Sequence, residues 1–191
     1  MKEDVFEEYA EDYDRWFDDH REIYLAELAR IRELLPPGER RSIEVGVGSG
    51  RFAGPLGTTY GIDPSYALCR MAYHRGVGVI RGRAEELPVK GGSFSSVLLI
   101  TVICFLDDPA AALREIKRIL NPGGFLIVAF LERGGEVHMR YIKDGKKGRF
   151  LSGARFCKSG EVRAFLEDAG FLVSESECRA GFCVIRAQKS G

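Results

Sequence analysis

Hydrophobic positions follow a helical period at the start of this chain and a mixed one afterwards. Phe6, Tyr9, Tyr13 and Trp16 recur at steps of three and four, which predicts one amphipathic helix with an aromatic face and an acidic face. Tyr24, Leu28, Ile31 and Leu35 keep the period in a second helix until Pro36-Pro37-Gly38, where proline cannot donate the helical hydrogen bond. Beyond residue 40, short apolar runs alternate with helical patterns. Strands are predicted near 42–46, 59–62, 77–80, 96–101 and 124–130, and helices near 50–56, 65–75 and 109–120. Such alternation requires crossover connections, and therefore an α/β fold with a mostly parallel sheet. Ser159 is placed to cap a further helix to Ala169, with Gly170 supplying the left-handed residue after it. The runs 171–177 and 182–188 are joined by too short a turn to be parallel, so an antiparallel pair closes the chain.

At 191 residues with 45% hydrophobic content, the chain fits one domain with a sizeable core. Residues 1–38 are read as an N-terminal helical lid and 39–191 as the core. Formal charge is zero but unevenly spread. Residues 1–19 hold nine acids against Lys2 and Arg15, whereas the segment 133–155 holds seven bases against Glu136 and Asp144, a basic insert. The five cysteines form no C-x-x-C pair, so neither a disulfide framework nor a metal site is expected. No segment reaches the roughly 18 apolar residues of a membrane span, and the acidic start does not read as a signal peptide. A cytoplasmic protein is the expectation.

Candidate chemistry concentrates at Ile43-Glu44-Val45-Gly46-Val47-Gly48-Ser49-Gly50, an apolar strand breaking into a loop with glycine at every second position. Glycines there let the backbone turn sharply and approach a ligand closely. Asp63 follows at the tip of the next apolar run, where α/β nucleotide folds place the acid that binds ribose hydroxyls. A dinucleotide fingerprint has the form G-x-G-x-x-G and sets a pyrophosphate on the helix N-terminus, where a carboxylate just before the glycines would repel it. The form here is E-x-G-x-G-x-G.

This loop resembles motif I of the class I S-adenosylmethionine-dependent methyltransferases, in particular the small ubiquinone-biosynthesis-type, or type 11, group. Further matches follow in order: Gly61-Ile62-Asp63-Pro64-Ser65 is similar to the family's acidic strand end, and Gly82-Arg83-Ala84-Glu85-Glu86-Leu87-Pro88 to its adenine-side segment. Ile103-Cys104-Phe105-Leu106-Asp107-Asp108-Pro109 stands where relatives often carry L-H-H-x-x-D-P, and Ala111 to Gly124 resembles the helix ending in P-G-G. The resemblance implies a Rossmann-like doubly wound sheet of seven strands with the last one antiparallel, and S-adenosyl-L-methionine as cofactor. It also implies that Glu44, Gly46, Val47, Gly48 and Gly50 hold the methionine moiety and that Asp63, with Pro64, holds the ribose. Ala84 and Glu85 would lie beside the adenine and Thr101 at the strand end facing the crevice, with Tyr13 of the lid above.

Two departures matter. Arg83 replaces an aspartate common on the adenine side, and arginine has donors only. Cys104-Phe105 replaces a His-His pair, which removes any mechanism resting on those histidines. Cys104 reads as a small apolar filler. His20, beside the lid aromatics, is the candidate proton acceptor, although methyl transfer by in-line displacement does not require one. The expected reaction is methyl transfer to a small molecule. A nucleic-acid or protein acceptor and a non-catalytic cofactor-binding subunit are the rivals, and the oligomeric state is left open.

Overall fold

The computed structural model describes residues 2–36, 38, 41–144 and 148–190. Pro37, Lys146 and Lys147, which the sequence reading used, lie outside them. Helices α1 (Lys2–Glu8), α2 (Ala10–Asp19) and α3 (Arg21–Leu34) precede the sheet. β1 (Ser42–Val45), β2 (Tyr60–Asp63), α4 (Tyr66–His74), β3 (Gly78–Arg81), β4 (Phe94–Ile100), α5 (Pro109–Ile119) and β5 (Leu120–Leu131) form the parallel part. After α6 (Glu136–Lys143) and α7 (Ser159–Asp168), the hairpin of β6 (Phe171–Arg179) and β7 (Phe182–Lys189) inserts β7 antiparallel against β5. The seven strands run β3-β2-β1-β4-β5-β7-β6. The order reverses between β1 and β4, and the crevice beyond their carboxyl ends is where such sheets bind ligands.

Both faces of the sheet are covered, and β5 shows why. Leu126, Val128 and Phe130 point to the face packed by Leu113, Ile116, Val162 and Leu166 of α5 and α7. Phe125, Ile127 and Ala129 alternate to the other face, against Phe17, Tyr24, Leu28 and Ile31 of α2 and α3. The α3 face predicted from its period is therefore the face that meets the sheet.

Several expectations need correction. Residues 51–57 form successive turns and no helix. Pro55 has no N–H and disfavours helical geometry at Gly54, and the segment closes instead through Leu56 N–H to Phe52 O at 3.1 Å and Thr58 N–H to Ala53 O at 2.8 Å. The N-terminal helix is broken at Tyr9, whose φ of −117° leaves the helical region. α7 has Lys158 at its N-cap, one residue before Ser159; Glu161 reaches back to accept from the Lys158 N–H at 2.6 Å. The insert contains a helix, α6, that the sequence reading did not foresee. Cys178 and Cys183 form a disulfide. The two-residue turn Ala180-Gly181, both at positive φ, sets them directly opposite each other across the hairpin, which a count of cysteines cannot reveal. Among the described residues, no helix is long and apolar enough to cross a membrane.

Candidate active site

β1 delivers Glu44 to the floor of the crevice and then turns at once into the glycine loop. Gly46, Gly48 and Gly50 all have positive φ. At Gly46 a Cβ would stand 2.2 Å from Val102 Cγ2, so the loop can pass β4 only without a side chain there. The N–H groups of Gly46 and Val47 donate to Ile62 O at 2.7 and 3.0 Å, which ties the loop to the end of β2. The Asp63 carboxylate accepts from the Gly48 N–H at 2.8 Å and from the Ser65 N–H at 2.9 Å. The structure thus brings Glu44, the glycines, Val47 and Asp63 together, and Pro64 next to them accepts from Arg81 Nε at 2.8 Å.

Burial shapes the electrostatics. Asp63 is 7% exposed, and burial, opposed by the Ser65 and Gly48 N–H groups, pushes its carboxyl up to about 6. Glu44 is pushed well above the usual range by burial and then by the charge of Asp63. Its Oε2 is buried with no hydrogen-bond partner. An unpaired buried acceptor is costly, and this one lies beneath a loop shaped for close approach, so an ammonium donor fits it. The methionine moiety of S-adenosylmethionine carries such a group; the donor set matches that cofactor.

Thr101 ends β4 at φ 56°, an uncommon conformation for a non-glycine residue, held by its N–H to Ala129 O at 2.7 Å and its hydroxyl to Ile100 O at 2.8 Å. On the adenine side Ala84 is buried. Glu85 accepts from the Asp107 N–H at 3.1 Å, and Arg83 donates to Asp107 Oδ2 at 3.0 Å. Both side chains thereby hold the 106–108 loop against the end of β3.

Helix α2 packs over the glycine loop. Tyr13 lies over the loop, its hydroxyl 3.2 Å from where a Cβ on Gly48 would stand, and burial followed by the charges of Asp63 and Glu44 raises its pKa strongly. Trp16, further along the same helix, stacks on His20 at 4.7 Å. His20 itself is exposed at the junction of α2 and α3, and its Nδ1 pairs with Trp16 O at 3.0 Å; its contacts do not join it to the glycine loop.

Sequence reasoning missed the residues that hold the lid down. Arg51, the first residue after the loop, donates to both oxygens of Asp14 at 2.8 and 2.7 Å and of Asp18 at 2.8 and 2.7 Å. Arg75 adds a bond to Asp14 Oδ2 at 2.8 Å. Burial alone would raise the Asp14 carboxyl, but the bonds from Arg51 and Arg75 hold it well below its ordinary value. Glu7 of α1 accepts from the Ser65 hydroxyl at 2.7 Å and the Ala67 N–H at 3.1 Å, docking the lid on the start of α4. The spacing of Asp14 and Asp18, one helical turn apart, was the available signal. From the basic insert, Arg149 pairs with Asp12 at 2.9 Å and lies 3.8 Å from the Tyr9 ring centroid. Phe150 then meets Phe6 and Tyr13, each at 5.6 Å, while Phe6 also touches Phe105 at 5.3 Å. The acidic lid and the basic insert therefore face each other. Cys104 is buried beneath, its carbonyl accepting from the Arg155 N–H at 2.7 Å. Among the described residues, one metal-like grouping brings donor atoms of Glu132, Cys178 and Cys183 within 4.8 Å of one another, but its sulfurs are bonded together.

Fold and site together define a cofactor-binding α/β enzyme of the methyl-transfer type, and comparison with known proteins agrees. A family described as a methyltransferase domain matches residues 43–128. A solved S-adenosylmethionine-dependent methyltransferase of Thermotoga maritima, described as a possible histamine N-methyltransferase, is 38% identical; the match covers 100% of both chains at a TM-score of 0.91. An uncharacterised protein of Methanocaldococcus jannaschii is 36% identical over 87% of this chain and 80% of its own length. The ubiquinone biosynthesis O-methyltransferase of a Caulobacter species is 30% identical over 76% of this chain and 65% of its own length. This chain belongs to the S-adenosylmethionine-dependent methyltransferases, and S-adenosylmethionine is its cofactor.

Proposed function

We propose that the enzyme methylates a small molecule held between the lid, the insert and the end of β4. The observation that carries this reading is the ring cluster of Phe6, Tyr13, Phe105 and Phe150, contributed by three separate segments, whose member Tyr13 lies over Gly48 of the glycine loop. An acceptor reaching the loop from that side must fit beneath or between these rings, which suits a compact molecule and disfavours a folded polymer. The description of the Thermotoga relative names a small amine and points the same way.

Bound S-adenosylmethionine supplies an activated methyl group on a positively charged sulfur. The chain's residues bind and align. Glu44 would accept from the ammonium of the methionine moiety, the backbone of Gly46, Val47, Gly48 and Gly50 would hold that moiety, and Asp63 beside Pro64 would accept from the ribose hydroxyls. Ala84 and Glu85 would hold the base, Thr101 would stand below the acceptor, and Tyr13 would close the top and exclude water. His20, on the surface beside Trp16, has no part in this arrangement. A screen with methyl-labelled cofactor across amines, phenols, thiols, RNA and protein is the test. Label entering small molecules is expected; label entering only RNA or protein would overturn the proposal.

A further inference from the structure

α3 carries one carboxylate that the arrangement above does not use. Tyr24, Leu28 and Ile31 of this helix face the sheet, with the Tyr24 hydroxyl donating to Arg51 O at 2.6 Å beside the glycine loop. Arg30 reaches the other way, to Glu177 at 2.8 Å and to the carbonyls of Arg179 and Phe182 at 2.9 and 2.7 Å. Glu27 lies one turn from each, on the flank between them. It is half-buried and makes no hydrogen bond or ion pair with a described residue, since the neighbouring Arg30 is committed elsewhere. Its charge reaches Tyr13, the residue that covers Gly48, together with those of Asp63 and Glu44. Tyr24, one turn before Glu27, meets the Phe17 ring at 5.4 Å and Phe17 meets Tyr13 at 5.4 Å, so this flank of α3 is joined to the ring cluster through α2.

A carboxylate withdrawn from water with no partner is costly to keep charged. Burial, opposed by Arg30, pushes it up to about 7. The titratable and charged groups that act with it are Arg30 on its own helix and the Tyr13 phenol on α2. What complements such a site is a cation that can give up a proton.

Resting on the small-molecule reading above, we infer that Glu27 binds the protonated amino group of the acceptor, so that the acceptor is a primary or secondary amine with an apolar body set among Phe6, Phe105 and Phe150. An ammonium nitrogen has no lone pair with which to attack. Glu27 accepts one of its protons; the N–H bond breaks, the electron pair stays on nitrogen, and the carboxylate becomes a carboxylic acid. The nitrogen then forms its bond to the methyl carbon as the carbon–sulfur bond breaks with its electron pair remaining on sulfur. The product is a methylated ammonium and a neutral thioether. A carboxyl titrating near neutrality is matched to that proton transfer.

The test uses the full chain saturated with S-adenosylhomocysteine and titrated calorimetrically with phenethylamine and tryptamine against phenethyl alcohol and tryptophol. The amines should bind at least about tenfold more tightly than the alcohols, the worth of one charge-assisted hydrogen bond. Glu27→Gln should erase that preference while leaving S-adenosylhomocysteine affinity unchanged and the melting temperature no lower than that of the wild type. In turnover with labelled cofactor, the acid limb of kcat/KM near pH 7 should vanish in Glu27→Gln. Equal binding of amines and alcohols, no binding of any amine tried, or wild-type amine binding by Glu27→Gln each overturns the inference. Weakened S-adenosylhomocysteine binding in that variant also overturns it, since Glu27 would then hold the cofactor's own ammonium. Methylation of phenols or thiols but no amine overturns the amine assignment and leaves the small-molecule reading intact; methylation of RNA or protein alone overturns both.

Discussion

Asp63 meets opposite demands from folding and from binding. Its folded-state carboxyl titrates at about 6, above the ordinary 3.8, because burial outweighs the two backbone N–H groups it accepts from. The folded protein therefore holds this proton more tightly than the unfolded chain does. The resulting stability is complete below pH 3.8 and is lost as pH rises through about 6. Ribose hydroxyls need the ionised acceptor, so binding has the reverse dependence: S-adenosylhomocysteine affinity should fall as pH drops below about 6, with proton release from Asp63 on binding visible as buffer-dependent calorimetric heat. At neutral pH, Asp63→Ala should cost about 1.5–3 kcal/mol of binding, the range for hydrogen bonds to a charged group, and unchanged affinity would place the ribose elsewhere. Gly46→Ala meets two obstacles, a φ of +75° and the Val102 methyl 2.2 Å from the new Cβ. It should destabilise the fold by roughly 1–3 kcal/mol in urea titration. Glu44, the glycines and Asp63 were legible in the sequence because their chemistry is written in neighbouring residues. Arg51, Arg75 and Glu7 were not: their partners lie 37, 61 and 58 positions away.

Among elements, the lid shows how period and contact differ as information. An aromatic face at helical spacing predicted a helix that covers something, and α2 does cover the glycine loop. The ring expected there, Tyr13, lies over Gly48, while Trp16 of the same helix stacks on His20. The restraint on α2 is electrostatic, with Arg51 forked onto Asp14, both side chains 17% exposed. Arg51→Ala should strand the Asp14 carboxylate and cost about 1–2 kcal/mol, less than a fully buried pair because solvent screens it. In hydrogen exchange the amides of residues 10–19 should lose protection in that variant while those of β4 and β5 keep theirs. In the wild type, amides of residues 5–20 should gain protection when S-adenosylhomocysteine binds; equal protection in its absence would make the lid a fixed part of the core. The opposed charges of the lid and the insert, which gave conflicting hints about the acceptor, partly neutralise each other through Asp12 and Arg149.

For the whole molecule, ligand linkage offers the simplest check. Saturation with S-adenosylhomocysteine at about 100 times its Kd adds about 2.7 kcal/mol to the native state, which for a chain of this size raises Tm by about 5–10 °C. One unfolding transition should move as a unit if residues 1–38 and 39–191 form a single domain, and NAD should leave it where it was. A separate early transition for the N-terminal helices would divide the chain in two.

Local properties decided the class of this protein. Alternating strand and helix periods, a glycine at every second position after Glu44, and an acid at the end of the next strand each depend on a few consecutive residues, and backbone sterics allow few ways to arrange them. The helix expected at 50–56 failed because Pro55 and its glycines act against a weak apolar pattern. The tertiary structure decided what those residues experience. Desolvation, the Arg51 fork, the ring cluster drawn from three segments, the Cys178–Cys183 pairing and the isolation of Glu27 all arise from side chains brought together across long separations. Pairing and burial are properties of that assembly, so no period along the chain encodes them.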